Sequence, residues 1–453
     1  MSENNTDRKD MMGRLLILSS LVRRAQLAAR TGMEYGGDRN VYQALGYPTN
    51  VRYNDFLARY ERQDISTAII DKPVNATWQG GVGIEETGVE NSQLKEQWKN
   101  LCQNKTLKVI PTLSRFDKLI GLGEFAILLF GFSDVATPSD FQKPVSGNVN
   151  LVYLKPFGQG DVSIKIWDTN TASPRYGMPV MYEVALDSVG GNVENSLLVH
   201  YTRVLHVADN VLTGTVKGRS RLLPVYNRLI DLEKLVGGSA EMFWRGARPG
   251  YKGKLDSNFT ITKEEEDELE AQLDEYEHNL RRFLINKGVD VSAMEMQVAD
   301  PKSHVDVQIQ MISAQTGIPK RILTGSERGE LASTEDLEAW YTLIDNRRTG
   351  FVEGEILRPF IDKCIEVGVL PQPAGKNQRY NFVWKPLFEQ SDGDKAKVGE
   401  TRASALNKYA AQPMAENIVP PDAFYKYFLG FTDDQVESIK NIKESAMAEE
   451  SGE

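Results

Sequence analysis

The amino-acid sequence predicts an α+β fold that combines long helices with a small antiparallel sheet. Residues 334–367 place apolar side chains three or four apart, which predicts a helix of about 34 residues, roughly 50 Å long. Residues 219–247 keep the same spacing. Residues 149–207 contain short β-branched and aromatic runs separated by Gly, Pro, Asn and Asp, a pattern typical of antiparallel strands.

The N-terminal part is predicted to be mainly helical. Residues 13–30 form an amphipathic stretch that lacks the small-residue cleavage pattern of a signal peptide. Apolar residues between Phe56 and Ile69 predict short helices that end before Pro73. Residues 91–132 continue the helical pattern, and their last part, AILLFGF (126–132), fits either a buried strand or a buried helix segment.

Four runs between residues 149 and 207 are predicted to form one sheet. They are LVYL (151–154), VSIKIW (162–167), VMYEVAL (180–186) and SLLVHY (196–201). The helix that follows, 219–247, contains Gly237 and Gly238, each of which costs a helix roughly 1 kcal/mol relative to Ala. Their presence predicts a kink or a close approach by a neighbouring backbone.

Residues 248–302 are predicted to form a small inserted unit. Thr262 precedes an acidic helix start, and Met294, Met296 and Val298 alternate as a strand does. In the next segment Ser303 and Asp306 suggest a capping box at the start of a helix. Gly317, Ile318 and Pro319 form a helix stop signal.

A basic loop at 318–333 separates that helix from the long one. It carries Lys320, Arg321 and Arg328 and has few large apolar groups. The two helices could be an ordinary core hairpin, or part of an elongated subunit in a symmetric assembly with the loop facing a partner. A helix of this length usually spans a large structure or packs against copies of itself. This stretch alone slightly favours the core hairpin, and the rest of the chain favours the assembly.

Composition narrows the function. The 453 residues are enough for two to four structural units, and 53 Lys and Arg against 63 Asp and Glu give a net charge of −10. A general nucleic-acid binder carries a basic excess, so bulk charge would not hold DNA here. Cys102 and Cys364 lie too far apart for a metal motif and predict free thiols in a reducing compartment. No apolar run reaches the length of a membrane span.

The sequence contains no recognisable catalytic motif. Its histidines, His200, His206, His278 and His304, form no HxxxH or HExxH pair, and neither a GxxxxGK[ST] loop nor a GxSxG elbow occurs. The carboxylates of Glu264–Glu268 would point in different directions around a helix. The sequence therefore predicts no catalytic residue, no cofactor and no metal site, and a protein that is not an enzyme.

Several phrases, in this order, resemble the portal (head–tail connector) proteins of tailed bacteriophages. The resemblance runs from about Tyr35 to about Lys408. Each of these sequence segments alone is weak evidence for the family. Together, and in this order along the chain, they are strong evidence for it. The phrases are YGGDRNVYQALGYP (35–48), the segment ending NATW (75–78), LLPVYNRLIDLEKL, MFWRGARPG, SAQTGIPKRILTGSERGE and LRPFIDK.

The resemblance implies an elongated portal-type subunit. The helices at 219–247 and 303–317 would form a stem, and the inserted unit between them would form a small α/β clip. Pro359 would kink the long wing helix. The implied parts are an N-terminal arm (1–34), a wing of helices and antiparallel sheet (35–218), a first stem helix (219–247), the clip (248–302), a second stem helix (303–317), a tunnel loop (318–333), the long wing helix (334–371) and a C-terminal crown region with a disordered acidic tail (372–453).

The resemblance also implies the function and partners. A homo-oligomeric ring, usually of twelve subunits, would sit at one capsid vertex of the virion after assembly in the host cytoplasm. It would carry double-stranded DNA during genome packaging and ejection. It would contact the major capsid protein, dock the terminase packaging motor, and later bind head-completion (adaptor) or tail proteins. No membrane is expected among its partners. Two alternatives remain: a metal-dependent DNA-processing enzyme, and a minor capsid or scaffold protein without a channel.

Two groups of residues are predicted to serve this function. The acidic subunits should repel DNA except where loop cations reach phosphates. The predicted DNA-channel residues are Lys320, Arg321, Ser326 and Arg328. The predicted stem and oligomer contacts are Leu229, Leu232, Val236, Phe243, Ile309 and Ile312.

Overall fold

The computed structural model divides the chain into two compact units, Met1–Lys385 and Pro386–Glu453. It describes residues 40–86, 89, 92–186, 196–246, 251–255, 262–277, 289–293, 300–325, 334–374, 379–387, 392–412, 414–431, 436 and 438–440. The predicted amphipathic helix at 13–30, the end of the acidic tail, and the predicted strand at Met294–Val298 lie outside these residues.

The N-terminal helices of the first unit are Val41–Leu45, Tyr53–Arg62, Asp64–Trp78, Gln93–Gln103 and Val109–Leu122. The third of them corrects the sequence prediction, because it continues through Pro73 to Trp78. A proline inside a helix costs about 3 kcal/mol. Here the same helix buries Ile69, Ile70, Val74 and Trp78, and this burial offsets the loss of one backbone hydrogen bond.

The strands form antiparallel sheets, as predicted, but they are distributed over several sheets. They are β1 (Val82–Glu85), β2 (Ala126–Phe132), β3 (Leu151–Gly158), β4 (Val162–Trp167), β5 (Pro179–Ala185), β6 (Ser196–His200), β7 (Val204–Val207), β8 (Tyr251–Leu255), β9 (Val289–Ala293) and β10 (Asn381–Trp384). The wing region holds two three-stranded sheets, ordered β3-β2-β7 and β4-β5-β6. The pairs β1-β10 and β8-β9 form two-stranded sheets.

Strand β2 explains why one predicted sheet became two. Its side chains are buried on both faces. Ala126, Leu128 and Phe130 face a core shared with helices Gln93–Gln103 and Val109–Leu122 and with the residues after 351. Ile127 and Leu129 face the sheet β4-β5-β6. A strand between two apolar layers reads as a continuous apolar run, so its sequence does not alternate.

The long helix is continuous from residue 334 to residue 366, close to the predicted span. It begins as an α-helix, Thr334–Arg347, widens to a π-helix, Arg348–Leu357, and ends as an α-helix, Arg358–Glu366. The π-helical segment leads directly into Pro359, which cannot donate to the preceding turn and whose ring crowds it. Ile356, Leu357 and Phe360 are fully buried, so this segment anchors the helix in the core.

Residues 219–317, which were predicted to form the stem helices and the clip, contain several helices and two strands among the described residues. A helix at Tyr226–Gly246, preceded by a short turn of helix at Leu223–Val225, is followed by β8, the helix Lys263–Glu277 and β9. The next helix, Lys302–Thr316, begins one residue before Ser303, and the Lys302 amide donates to Asp300 Oδ1 at 2.9 Å. The predicted capping box of Ser303 and Asp306 is therefore wrong, because the N-cap residue is Pro301, whose side chain makes no cap hydrogen bond.

The second unit contains helices at Asp392–Ala410, Ala415–Ile418 and Pro421–Ala423, and a π-helical turn at Phe424–Phe428. Tyr409 stacks on Phe424 with ring centroids 4.0 Å apart. Arg402 lies over the ring of Phe431, 4.8 Å from its centroid, so aromatic contacts hold the unit together.

An ion pair between Arg203 and Asp134 makes stability depend on pH. Arg203 is buried and donates to both carboxylate oxygens of Asp134, at 2.9 and 2.7 Å, and to the carbonyl of Lys143 at 2.8 Å. The hydrogen bonds from Arg203 hold the pKa of Asp134 below its ordinary value. A carboxyl with a lowered native pKa stabilises the fold above its unfolded pKa of about 3.9 and loses that contribution as pH falls.

We expect Asp134→Asn to lower thermal stability at pH 7 relative to the wild type. The difference between the two proteins should stay constant down to about pH 5 and shrink below about pH 4. Melting both proteins across this pH range measures it. A difference that is the same at pH 7 and pH 3 would contradict the assigned ionic role.

Candidate functional site: the base of the stem and the basic loop

Two helices form the scaffold of the candidate site. Stem helix 1 (Tyr226–Gly246) packs against stem helix 2 (Lys302–Thr316). The predicted contact residues fall into two groups. Leu229 and Leu232, with Ile309 and Ile312, are buried within the single chain and so hold the stem to itself. Val236 and Phe243 are exposed by 52% and 55%, which leaves them available to another molecule.

The C-terminal half of stem helix 1 exposes more apolar surface than was predicted from the sequence. Trp244 is exposed by 68%. Stem helix 2 adds Val307 and Met311, both exposed. The helix continues through Gly237 and Gly238, and among the described atoms none lies within 4 Å of a Cβ built at either position. The predicted close approach is therefore not made by the described part of this chain.

The basic loop begins as the sequence predicts. Gly317 ends stem helix 2 in the left-handed region, at φ 70°, and its amide donates to the carbonyl of Ser313 at 2.9 Å. The chain then forms a short helix, Lys320–Thr324, where only a loop was predicted. Lys72 from the helix Asp64–Trp78 donates to the carbonyl of Ile322, which ties this short helix to the wing.

The two described loop cations each have a carboxylate partner. Lys320 Nζ lies 3.1 Å from Asp306 Oδ1 on stem helix 2. Arg321 Nε lies 3.8 Å from Asp336 Oδ2 at the start of the long helix. Both pairs are partly exposed, so they remain in contact with solvent and contribute little stability. Ser326 and Arg328, the other predicted channel residues, lie outside the described residues.

A buried polar network lies beneath the loop, and the sequence analysis missed it. Asp117 is fully buried and forms an ion pair with Arg347 of the long helix. Its second oxygen accepts from Trp78 Nε1 at 2.8 Å. Arg221, just before stem helix 1, lies 3.7 Å from Asp117 and 2.8 Å from Asp209. One carboxylate thus connects a wing helix, the long helix and the entry to the stem.

The electrostatics of this network depend on burial. Burial opposes the charge on Arg221, but the carboxylates of Asp209 and Asp117 outweigh it and raise the pKa of that guanidinium. For Arg347, burial is the larger effect and lowers the pKa, while Asp117 acts in the opposite direction. Two arginines therefore share one buried carboxylate, and loss of that carboxylate would leave buried positive charge without compensation.

Arg348 makes a second link between the long helix and the wing. Its guanidinium is buried and donates to the carbonyls of Thr77 and Lys385, both at 3.0 Å. Because Thr77 lies in the last turn of the helix Asp64–Trp78, the positive charge sits at the negative end of that helix. The guanidinium also lies over the ring of Trp384, 4.8 Å from its centroid.

Among the described residues, no group of three His, Cys, Asp or Glu side chains is placed to hold a metal ion. In that same part of the chain, no helix is long and apolar enough to cross a membrane. The described features are rigid links between helices and exposed apolar surface on the stem.

Comparison with known proteins decides the family. The sequence matches the family described as "Phage portal protein" over residues 54–408, which is most of the chain. The chain belongs to the phage portal protein family. The span agrees with the resemblance predicted from about Tyr35 to about Lys408, and the family is a structural one. None of the curated proteins compared with the portal chain matches it.

Solved structures are similar to the portal chain, and the first of the following two shares its fold. A chain from the neck of a native gene transfer agent (GTA) particle, determined with C12 symmetry, has a TM-score of 0.51 at 13% identity. That match covers 90% of the portal chain and 99% of the neck chain. An HK97-family phage portal protein from Corynebacterium diphtheriae has a TM-score of 0.38 at 10% identity, covering 72% of the portal chain and 95% of that protein.

Proposed function

We propose that copies of the portal chain form a ring at one capsid vertex, and that DNA passes through its central channel during packaging and ejection. The family match over residues 54–408 carries this proposal. The similar neck chain was determined with C12 symmetry, which supports a ring of twelve copies. We infer a passive conduit, with ATP hydrolysis supplied by a separate terminase motor that docks on the clip.

The stem supports an assembly of identical copies. Phe243 on stem helix 1 and Met311 on stem helix 2 are both more than half exposed. Clusters of exposed apolar side chains are typical of protein contact surfaces. A ring places every such surface against a neighbouring copy, because closed cyclic symmetry repeats one contact around an axis. The major capsid protein and the head-completion or tail proteins would bind elsewhere on the wing and clip.

The loop 318–333 is proposed to face the channel. Its described cations lie at the junction of stem helix 2 and the long helix, paired with Asp306 and Asp336. A DNA phosphate could replace either carboxylate as the partner of the cation, since both are anionic oxygen acceptors. The acidic balance of the rest of the chain would keep DNA from binding tightly along the channel.

A comparison of two variants separates a DNA contact from a structural ion pair. Lys320→Gln removes both the charge and the pair with Asp306, whereas Asp306→Asn removes the pair and keeps the cation. Loss of one phosphate contact should lower the yield of DNA-filled particles, while loss of a partly exposed pair costs at most about 1 kcal/mol. We therefore expect fewer filled particles with Lys320→Gln and near-normal numbers with Asp306→Asn.

The measurement is the fraction of DNA-filled particles, with ring assembly checked in parallel. Combining Lys320→Gln with Arg321→Gln and Arg328→Gln should enlarge the defect while rings still form. Equal yields from the triple variant and the wild type would contradict a role of the loop in holding DNA. Equal defects from Lys320→Gln and Asp306→Asn would show that the ion pair, and not the cation, matters.

A further inference from the structure

A cleft of about 990 Å³ lies beside stem helix 1 and is not used by the proposed channel function. Five elements line it: the helix Tyr53–Arg62, the start of the helix Asp64–Trp78, both stem helices, and the short helix Lys320–Thr324. The cleft is at the upper end of the volumes of small-molecule sites, about 300–1,000 Å³, and it is open along one side. This shape fits an extended or helical segment better than a compact ligand.

The floor of the cleft is apolar and preformed. Ile65, Leu232, Ile309 and Leu323 are buried at its base. One wall is open, because Val236 is half exposed and Gly237 has no described atom within 4 Å of a built Cβ. An apolar side chain entering there would cover Val236 and gain contact with the buried floor.

The rim of the cleft carries charges of both signs. Asp55 and Asp64 are exposed carboxylates of the two wing helices. Arg59 donates to Glu233 of stem helix 1 at 3.0 Å and lies over the ring of Tyr226, 4.7 Å from its centroid. Arg62 is a second exposed cation of the rim, so the three carboxylates of Asp55, Asp64 and Glu233 stand against two arginines. The carboxylate in excess favours an incoming segment that carries cations.

The N-terminal part of the chain leads to this cleft. Described residues begin at Asn40, which caps the helix Val41–Leu45. That helix is held against stem helix 1 because Lys234 donates to the carbonyl of Leu45 and the Tyr47 hydroxyl donates to Asp231 at 2.6 Å. Val236 and Gly237 lie next along the same helix. Residues 31–39 could span up to about 30 Å, enough to connect residue 30 to the cleft.

The segment 13–30 has the chemistry that the cleft requires. Leu15, Leu18 and Val22 fall on one helical face at spacings of three and four. Its charged residues are Arg14, Arg23, Arg24 and Arg30, and it contains no carboxylate. An apolar face would cover the floor, and the arginines would reach the carboxylates at the rim.

We propose that residues 13–30 bind as an amphipathic helix in the cleft between the wing and the stem of their own chain. This is helix-in-groove recognition, in which a few apolar side chains at helical spacing fill a preformed groove. Binding would tie the wing helices to stem helix 1 and the short helix of the basic loop. It would also cover Val236, one of the predicted stem contacts, from within the same chain.

Cysteine cross-linking in the full-length protein tests the contact directly. Leu18→Cys combined with Val236→Cys should form a disulfide within one chain on mild oxidation. Ser20→Cys with Val236→Cys is the control, because Ser20 lies on the side of the helix opposite Leu15, Leu18 and Val22. The native thiols should interfere little, since burial raises the pKa of Cys102 and of Cys364 to about 12.

Non-reducing gels and peptide mass spectrometry distinguish the outcomes. An intrachain link for Leu18→Cys, at least about fivefold more abundant than for Ser20→Cys, supports the proposal; this margin reflects the opposite positions of residues 18 and 20 on a helix. A link between two chains, or equal linking of both variants, overturns it. Absence of any link from a folded protein overturns it as well.

Limited trypsin digestion provides an independent readout. In the wild type, docking should protect the bonds after Arg23 and Arg24. Val236→Glu should raise the cleavage rate there about tenfold, because a carboxylate would have to lose its hydration beneath the apolar face and cleavage follows the undocked population. Val152→Glu is the matched control, since Val152 is equally exposed but lies on β3. Equal cleavage rates in the wild type and both variants overturn the proposal.

Discussion

Asp117→Ala is expected to lower the free energy of unfolding by about 3–5 kcal/mol, because it leaves buried arginine charge without its partner. Asp117 is fully buried, pairs with Arg347 and lies near Arg221. It also accepts from Trp78 Nε1, which would lose its partner in the core. Chemical denaturation of the purified variant and the wild type measures the difference.

A control variant and a second-site change sharpen this test. Glu338→Ala removes an exposed carboxylate from the long helix and should change stability by less than about 0.5 kcal/mol. Adding Arg347→Met to Asp117→Ala should recover part of the loss, because the uncompensated charge is removed. A loss below about 1 kcal/mol for Asp117→Ala would contradict the central role of this carboxylate in the network.

Phe243→Asp combined with Met311→Asp is expected to weaken association between copies about a hundredfold or more. Each side chain is more than half exposed in the single chain, one on each stem helix. Burying an apolar side chain of this size contributes about 1.5–3 kcal/mol, and every 1.4 kcal/mol is a factor of ten. An aspartate at the contact would in addition have to lose its hydration.

Sedimentation or mass photometry over a range of concentrations measures the change. Leu212→Asp is a suitable control, because Leu212 is highly exposed and apolar but lies in the turn after β7. The control should assemble as the wild type does, and the folded content of all variants should be equal by circular dichroism. Normal rings from Phe243→Asp with Met311→Asp would exclude this stem surface as a subunit contact.

Local periodicity was sufficient to predict the largest elements of the fold. The stripe that includes Trp340, Ile344 and Phe360 predicted the long helix because one face of it is buried along most of its length. Gly317 ended stem helix 2 as expected from its freedom to adopt a positive φ. The sequence of residues 126–132 fitted both a strand and a helix. Local periodicity could not decide between them, because the run is apolar on both faces, and it is apolar there because a separate core packs against each face.

Features that depend on contacts between distant residues were not predicted. Pro73 was expected to end a helix, yet burial of Ile69, Ile70 and Val74 around it stabilises the continuous helix. The partners Asp117 and Arg347 lie far apart in sequence. A local signal for them existed: a carboxylate four residues after Leu113 falls on the apolar face of its helix, and Arg347 falls near Ile344 on the long helix.

The mass and shape of the protein, expressed together with its capsid protein, test the proposed ring most directly. We expect a ring with an open central channel and a mass near twelve times 50.8 kDa, visible by native mass spectrometry and electron microscopy. A folded protein that remains a single subunit in particles, or that forms an assembly without a channel, would contradict it.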